Sequence, residues 1–477
     1  VTKKVLHPLA ILYTLFVGIG ILWAILIPPF EKPDEIHHVV YIQFVAQEGR
    51  LPVQKQESWG GLLDFEAHQP PLYYVVGAIV YRTFTALGVE PHQARDWQSR
   101  INPNFVGKTQ GPDPEQTFFV HDGTIFQPDR LFPYNVILLR IYSVLVASVG
   151  VVGTYLTCRQ IWPQQRWPSV LTTSLIVFVP QISFITSSTT NDAMVYAVGS
   201  LLIYQMVRIV RHGRSEDLAG YALLGILLGV SILTKLSLVS FIPIAALLPL
   251  LAGERSPRRW LTVWLVMAVG CLLVSGWWFV RNWMLYQEWL GSHWHVNPEA
   301  FAWDFDPKPL FSEYFGLHGF WLWVGHSFVG RFGFMHLDMQ TTFYQIYLMI
   351  FVFGVAVFLL SSLRKDGILP LPLKFLLVLL IAAAVAQLVV LNLSVSQPQG
   401  RYLFHVSSAI SIVVAAGIGA FGQIGHHLLK QRRAGRQLTV LRPSPSWQTG
   451  LLWGLALIHP AVNLLVLQHI YAIYAVS

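Results

Sequence analysis

The sequence predicts an all-α polytopic membrane protein, and three observations carry that expectation. The chain is 54% hydrophobic and only 12% charged, and a soluble surface needs far more charge. Apolar runs long enough to cross a hydrocarbon core of about 30 Å at about 1.5 Å per helical residue recur from end to end. The basic residues between those runs collect in alternate connectors, as they do in membrane proteins whose cytoplasmic loops hold Lys and Arg.

In chain order, the expected spans are 9–27, 134–157, 169–187, 193–209, 219–235, 237–251, 261–279, 341–360, 370–390, 405–424 and 449–470. Each is expected to be helical, because backbone in lipid must satisfy its own hydrogen bonds. Lys3 and Lys4 before the first run resemble the start of a signal peptide. No small-residue cleavage pattern follows, and the run ends at Pro28-Pro29, so the first span is expected to be retained.

Five polar connectors, 158–168, 208–218, 252–260, 361–367 and 425–443, together with Lys3 and Lys4 hold 17 of the 32 Lys and Arg residues. Their only acids are Glu216, Asp217, Glu254 and Asp366. That bias places them and the N-terminus in the cytoplasm. The long stretches 28–133 and 280–340, the turn 188–192 and the loop 391–404 then face outward, the first with 13 of the 24 acids. The expected organisation is one membrane-integral domain, 1–477, with two large outer loops and no soluble C-terminal domain.

Segment 70–88 is apolar enough to be a further span. A single crossing there would put every later basic connector outside, so an interfacial or re-entrant outer helix fits better; a paired crossing with a weak partner in 92–133 is the alternative. The aromatic run 315–334, FGLHGFWLWVGHSFVGRFGF, reads equally as an interfacial belt and as one wall of a groove for a lipid chain.

The net charge of +8 follows from the basic connectors, and no basic patch interleaved with aromatics suggests nucleic acid. Cys158 and Cys271, the two cysteines, imply neither a disulfide framework nor a thiolate metal site. There is no phosphate loop or dinucleotide fingerprint, so a donor on the outer side is expected to be lipid-linked. No internal repeat suggests transporter symmetry.

The residues with chemical potential cluster outside. The segment Glu31-Lys32-Pro33-Asp34-Glu35-Ile36-His37-His38 follows the first span. Asp34 and Glu35 either cap and charge the next helix or supply a carboxylate that takes a proton from an acceptor. Asp64, Glu66 and His68 alternate before Gln69-Pro70-Pro71, as surface polar groups or, less specifically, as metal ligands. Asn191 and Asp192 close an outer turn, where Asp192 is an N-cap or part of the same site. Lys235 lies in apolar sequence and needs a partner, a snorkelling route or a phosphate. Arg281 and Arg401 lie on the outer side against the positive-inside trend and suit either interface snorkelling or a phosphate headgroup. Asn392 and Ser394 match a glycosylation acceptor pattern beside a span, a weak signal.

These residues, in this order, resemble the membrane-integral glycosyltransferases of the GT-C superfamily, near bacterial protein O-mannosyltransferases and lipid A aminoarabinose transferases. The resemblance runs over 28–405. It is carried by the acidic segment 31–38, by His68-Gln69-Pro70-Pro71-Leu72-Tyr73-Tyr74, by Leu138-Leu139-Arg140-Ile141-Tyr142-Ser143, by Asn191-Asp192, by Leu233-Thr234-Lys235 and by Gln399-Gly400-Arg401-Tyr402-Leu403. It implies outer juxtamembrane helices and transfer of a sugar from a polyprenyl-phosphate donor to a lipid, glycan or protein acceptor. It implies Asp34 as the base or as the carboxylate that orients the acceptor, with Glu35 and Asp192 orienting acceptor or donor. Lys235 and Arg401 are implied at the donor phosphate, with Arg281 and Tyr402 as further candidates. His37, His38, Glu66, His68 and Asn191 are candidates for acceptor contact or support. No cofactor is expected, and a divalent metal is left open. The expected location is the bacterial inner membrane, with the N-terminus cytoplasmic and the site facing the periplasm or exterior. The competing functions are a transporter or flippase of a lipid-linked glycan and a non-catalytic subunit of a membrane complex.

Overall fold

A computed structural model describes residues 3–55, 59, 61–102, 117–121, 132–213, 217–291, 308–362, 369–434 and 445–476. The connectors 361–367 and 425–443 fall partly outside these residues, and 103–116, 122–131 and 292–307, in the two stretches expected to face outward, lie wholly outside them. The chain is a polytopic helical membrane protein. Among the described residues, eight helices are long and apolar enough to cross a membrane, and nine if a bent pair counts as one span.

The N-terminal part comprises α1 (Lys3–Leu26), α2 (Glu35–Glu48), the single turn α3 (Gly61–Asp64), α4 (Leu72–Ala86), α5 (Tyr134–Ile161), α6 (Trp167–Val177), α7 (Pro180–Thr186) and α8 (Asp192–His212). It is followed by α9 (Leu218–Thr234), α10 (Phe241–Leu251) and α11 (Pro257–Tyr286). After these come α12 (Leu322–Val329), α13 (Thr341–Ser362), α14 (Leu371–Ser394), α15 (Ser407–Ala434) and α16 (Pro445–Val476). A two-stranded antiparallel ribbon, Arg331–Phe332 with Leu337–Asp338, is a small β element that the aromatic run did not announce.

Every expected span contains helix, but three differ from a simple crossing. The expected span 169–187 is α6 and α7, bent by 65°. Pro180 causes the break: it lacks an N–H and disfavours helix at Val179, which is extended at φ −61°, ψ 124°. The freed Phe178 carbonyl accepts from Asn463 Nδ2 at 3.1 Å and Tyr347 Oη at 3.4 Å, while Asn463 Oδ1 accepts from Trp23 Nε1 at 2.7 Å. The expected spans 219–235 and 237–251 are shorter apolar helices separated by an extended Lys235 at φ −166°, ψ 141°. The segment expected at the interface, 70–88, is the 15-residue α4, about 22 Å long and thus short of a hydrocarbon core. It packs on α2.

One buried ion pair fastens the segment after α1 to the bundle. Arg140, fully buried in α5, donates Nε to Glu35 Oε1 at 2.7 Å and Nη2 to Glu35 Oε2 at 2.5 Å. Its other donors reach Ala24 O at 2.9 Å, Ile27 O at 2.6 Å and Pro28 O at 2.9 Å. These are carbonyls left over where α1 ends, and Pro28-Pro29 offers no continuing helix. All five guanidinium donors are therefore used. Glu35 also accepts from Phe30 N, Ser188 Oγ and Thr189 N. Burial would raise the Glu35 carboxyl, but Arg140 overrides it and holds the group below the ordinary carboxylate range.

Lys32, also fully buried, extends the same junction by donating to Trp23 O at 3.2 Å and to Ser187 O and Oγ, both at 2.7 Å. Glu31 accepts from Phe118 N, Phe119 N and His121 Nε2. The segment after α1 is thus pinned from three sides before it reaches Asp34. Replacing Arg140 by Met leaves the Glu35 carboxylate buried without its partner and is expected to destabilise the fold by about 3–5 kcal/mol. Thermal unfolding of the purified variant checks this, and adding Glu35→Gln is expected to restore part of the loss.

Candidate functional site

Beyond that clamp the chain turns at Asp34, whose backbone is left-handed at φ 61°. Asp tolerates this conformation better than most residues, and such strain tends to persist where surroundings enforce it. Asp34 occupies the N-cap position of α2 but makes no side-chain capping bond, so the capping role considered for it is not what the side chain does. Its Oδ2 accepts from Arg401 Nη2 at 2.6 Å. Asp192 likewise does not cap: it is the first residue of α8, and its Oδ1 accepts from Lys235 Nζ at 2.6 Å. Arg401 Nη1 lies 3.8 Å from Asp192 Oδ2, which joins the two pairs into one cluster.

Four separate parts of the sequence meet here. Asp34 comes from the turn after α1, Asp192 from α8 and Lys235 from the break between α9 and α10. Arg401 comes from the short helical segment Gly400–Val406, which leads into α15. Close packing sets the last of these against α8: a Cβ on Gly199 would stand 2.3 Å from His405 O. Tyr402 lies under both cations, with its ring centroid 5.9 Å from Lys235 Nζ and 5.7 Å from Arg401 Cζ. The Tyr402 hydroxyl donates to Gln397 Oε1.

The cluster is shielded without being sealed. Arg401 and Asp192 are buried, while the Asp34 and Lys235 side chains are 27% and 14% accessible. Burial would raise the Asp34 carboxyl; the Arg401 guanidinium outweighs it and holds the group well below the ordinary carboxylate range. Arg401 Nε and Asp192 Oδ2 have no hydrogen-bond partner among the described residues.

A second group borders the first. His38 places Nδ1 2.8 Å from Tyr74 Oη, and Nε2 3.3 Å from Thr190 Oγ1 and 3.8 Å from Glu66 Oε1. Tyr74 stacks on Tyr41 with centroids 3.8 Å apart. Burial pulls the His38 imidazole down to about 3, so it is neutral at ordinary pH. Burial and the nearby Asp34 carboxylate push the Glu66 carboxyl up to about 8. Asn191 donates Nδ2 to Gln69 Oε1 at 3.1 Å.

The structure therefore brings together Asp34, Asp192, Lys235, Arg401 and Tyr402, with His38, Glu66 and Asn191 alongside. Glu35, Arg281 and His37 are engaged elsewhere. Glu35 is consumed by Arg140 and the 187–189 turn. Arg281 donates to Pro52 O at 2.7 Å and lies over the Trp278 ring. His37 bonds to Leu62 O at 2.9 Å and stacks on Phe65. His68 is buried. Among the described residues no group of three or more His, Cys, Asp or Glu is arranged to hold a metal. The sequence reading gave no physical role to Lys32, Glu31, Tyr74 or Arg140; a lone Arg in an apolar run was the signal available for Arg140.

A family model described as a predicted membrane protein, DUF2142, matches residues 16–409. The chain is similar to the undecaprenyl phosphate-alpha-4-amino-4-deoxy-L-arabinose arabinosyl transferase of Pseudomonas aeruginosa (strain LESB58), 24% identical over 211 residues, which are 43% of this chain and 37% of that protein. A similar transferase of Pseudomonas fluorescens (strain Pf0-1) is 27% identical over 208 residues, 42% of this chain and 35% of its own length. The matches thus span little more than a third of these curated relatives. Among solved structures, apo ArnT from Cupriavidus metallidurans aligns with a TM-score of 0.52 at 14% identity, over 98% of this chain and 74% of that one. The apo oligosaccharyltransferase of Archaeoglobus fulgidus aligns with a TM-score of 0.51 at 12% identity, over 97% and 56% respectively. The likeness is one of fold, that of GT-C-type membrane glycosyltransferases.

His38 gives the site a pH signature. An imidazole that folding holds at about 3, against about 6.5 when unfolded, binds fewer protons in the native state. Its contribution to stability is full above about pH 6.5 and is lost as pH falls toward 3. Relative to the wild type, His38→Gln is expected to gain about 1 kcal/mol for each pH unit below about 6, read from paired melting curves.

Proposed function

The chain belongs to the DUF2142 family of predicted membrane proteins, and from that membership and its GT-C-like fold we propose that it transfers a sugar from a polyprenyl-phosphate donor to an acceptor at the outer face of the membrane. One observation carries the reading: two cations, Lys235 and Arg401, meet two carboxylates, Asp34 and Asp192, at distances of 2.6 and 2.6 Å, in a buried but accessible cluster. A buried charge cluster of this kind, drawn from four segments, is expensive to assemble and characteristic of a ligand site.

In the proposed reaction, the donor phosphate binds Arg401 and Lys235. Arg401 suits this because its planar fork matches a phosphate and its Nε is without a protein partner among the described residues. The bond between the sugar's anomeric carbon and the phosphate oxygen breaks, and the two cations stabilise the charge left on the phosphate. The acceptor oxygen or nitrogen forms the new bond to the anomeric carbon, and its proton passes to Asp34. While Asp34 is held by Arg401 it is a weak base; a phosphate that draws on the same guanidinium relaxes that hold and raises its basicity. Asp192 keeps Lys235 in place.

The lipid tail has a neighbouring cavity of about 520 Å³, lined by Phe328, Tyr344, Tyr347, Phe351 and Leu403. Leu403 is two residues from Arg401, so a phosphate at the cluster and an isoprenoid chain in this cavity are compatible. The outer orientation is supported by the charge bias of the connectors. The 2.6 Å contact of Asp34 with Arg401 puts the first outer segment and the 391–404 loop at the same end of the bundle, as that orientation requires.

The test is transfer by purified protein from polyprenyl-phosphate monosaccharides, read as release of polyprenyl phosphate and sugar on the acceptor. Asp34→Asn is expected to lower the rate about 10²–10⁴-fold. Translocation of the donor without any sugar transfer would overturn the proposal, and normal transfer by the Asn variant would overturn the role of Asp34.

A further inference from the structure

Glu66 differs from the other carboxyls at this site. Asp34 and Asp192 each have a cation at 2.6 Å, and Glu35 has Arg140. Glu66, only 5% exposed, has no cation partner among the described residues. Its Oε1 lies 3.8 Å from His38 Nε2, the Gln69 side chain hydrogen-bonds to the carboxyl, and its Oε2 has no hydrogen-bond partner among the described residues. It lies in the turn between α3 and Pro70-Pro71, so its backbone is fixed on both sides: Glu66 N donates to Leu63 O, and Gln69 N donates to Glu66 O.

The charged and titratable groups around it are known. Asp34, His38 and Tyr41 come from the Asp34 turn and α2, and Tyr74 comes from α4. Lys235 comes from the α9–α10 break, and Arg401 and Tyr402 from the segment before α15. The two carboxylates and two cations of the cluster already cancel. An incoming anion makes the buried site net negative, and an ionised Glu66 beside Asp34 would add a second uncompensated charge. A neutral carboxylic acid has the opposite effect, because it presents an O–H donor.

We propose that Glu66 determines whether the site accepts an anion: as a neutral carboxylic acid its unpartnered oxygen donates a hydrogen bond to the phosphodiester held by Arg401 and Lys235, and once ionised it repels that ligand. No covalent bond changes; the proton that Glu66 loses goes to solvent. The elevated carboxyl pKa of about 8 and the neutral His38 beside it agree with this state at neutral pH. The inference rests on the phosphate-site reading above, and it assigns to Glu66 a selectivity that neither cation has alone.

The experiment measures binding of a prenyl phosphodiester to the purified chain between about pH 7 and 9, a range in which the probe itself does not titrate. Wild-type affinity is expected to fall above about pH 8, approaching tenfold per pH unit, while Glu66→Gln binds with little pH dependence. A Glu66→Gln variant that tracks the wild-type curve, or a flat wild-type curve, overturns the proposal. Arg401→Gln separates the two levels. If it binds the probe as tightly as wild type at pH 7, the phosphate-site reading itself fails; if it binds weakly while Glu66→Gln tracks wild type, only the Glu66 assignment fails. Should Glu66→Gln not fold, the infrared carbonyl band of a protonated carboxylic acid in the wild type is expected to disappear over the pH range in which binding is lost. A band that persists beyond that range, or is absent at pH 7, overturns the proposal.

Discussion

A carboxylate stays ionised inside a protein only if a cation or several hydrogen-bond donors are brought to it, and this chain meets that constraint at Glu35, Asp34 and Asp192. The Glu35–Arg140 pair joins the segment after α1 to α5, and the same Arg140 gives the carbonyls at the end of α1 their hydrogen-bond partners. With that junction fixed, Asp34 one residue earlier has little freedom. Its left-handed backbone directs the chain into α2 while its carboxylate reaches Arg401. The site is therefore a consequence of two neighbouring acids with different duties: Glu35 holds the loop, and Asp34 is what the loop presents.

The same division explains how much the sequence disclosed. Apolar length and connector charge made the helices legible, because the hydrocarbon core imposes a minimum run and the cytoplasmic side retains Lys and Arg. Asp34, Asp192, Lys235 and Arg401 stood out as charges bordering apolar runs, and such charges need partners. Their pairing was not legible, because contacts across 43 and 367 residues of chain depend on how helices pack. Both neighbouring acids were expected at the site, Asp34 as base or acceptor-orienting carboxylate and Glu35 as an orienting group, and the position of Arg140 is what turns Glu35 into the loop's anchor instead. Arg281 looked like Arg401 by the same criterion, yet its guanidinium reaches a backbone carbonyl and a Trp face. The break at Phe178 was hidden inside an unbroken apolar run, although Pro180 marked it.

Electrostatic balance links the site's resting state to its proposed work. With Arg401 on Asp34 and Lys235 on Asp192, the formal charges of the cluster cancel. A phosphate competes for the same cations, so its arrival changes the environment of both carboxylates at once. In the proposed state Glu66 and His38 are uncharged beside it, which limits the net negative charge that the buried site must carry. Because Tyr402 lies under both cations, they keep an aromatic face when their carboxylate partners are shared.

A structure of the chain with polyprenyl phosphate retained tests the site most directly. Phosphate density is expected within hydrogen-bonding reach of both Arg401 and Lys235, with the isoprenoid running toward Leu403. Lipid phosphate bound elsewhere, with the Asp34–Arg401 and Asp192–Lys235 pairs both intact, would contradict it.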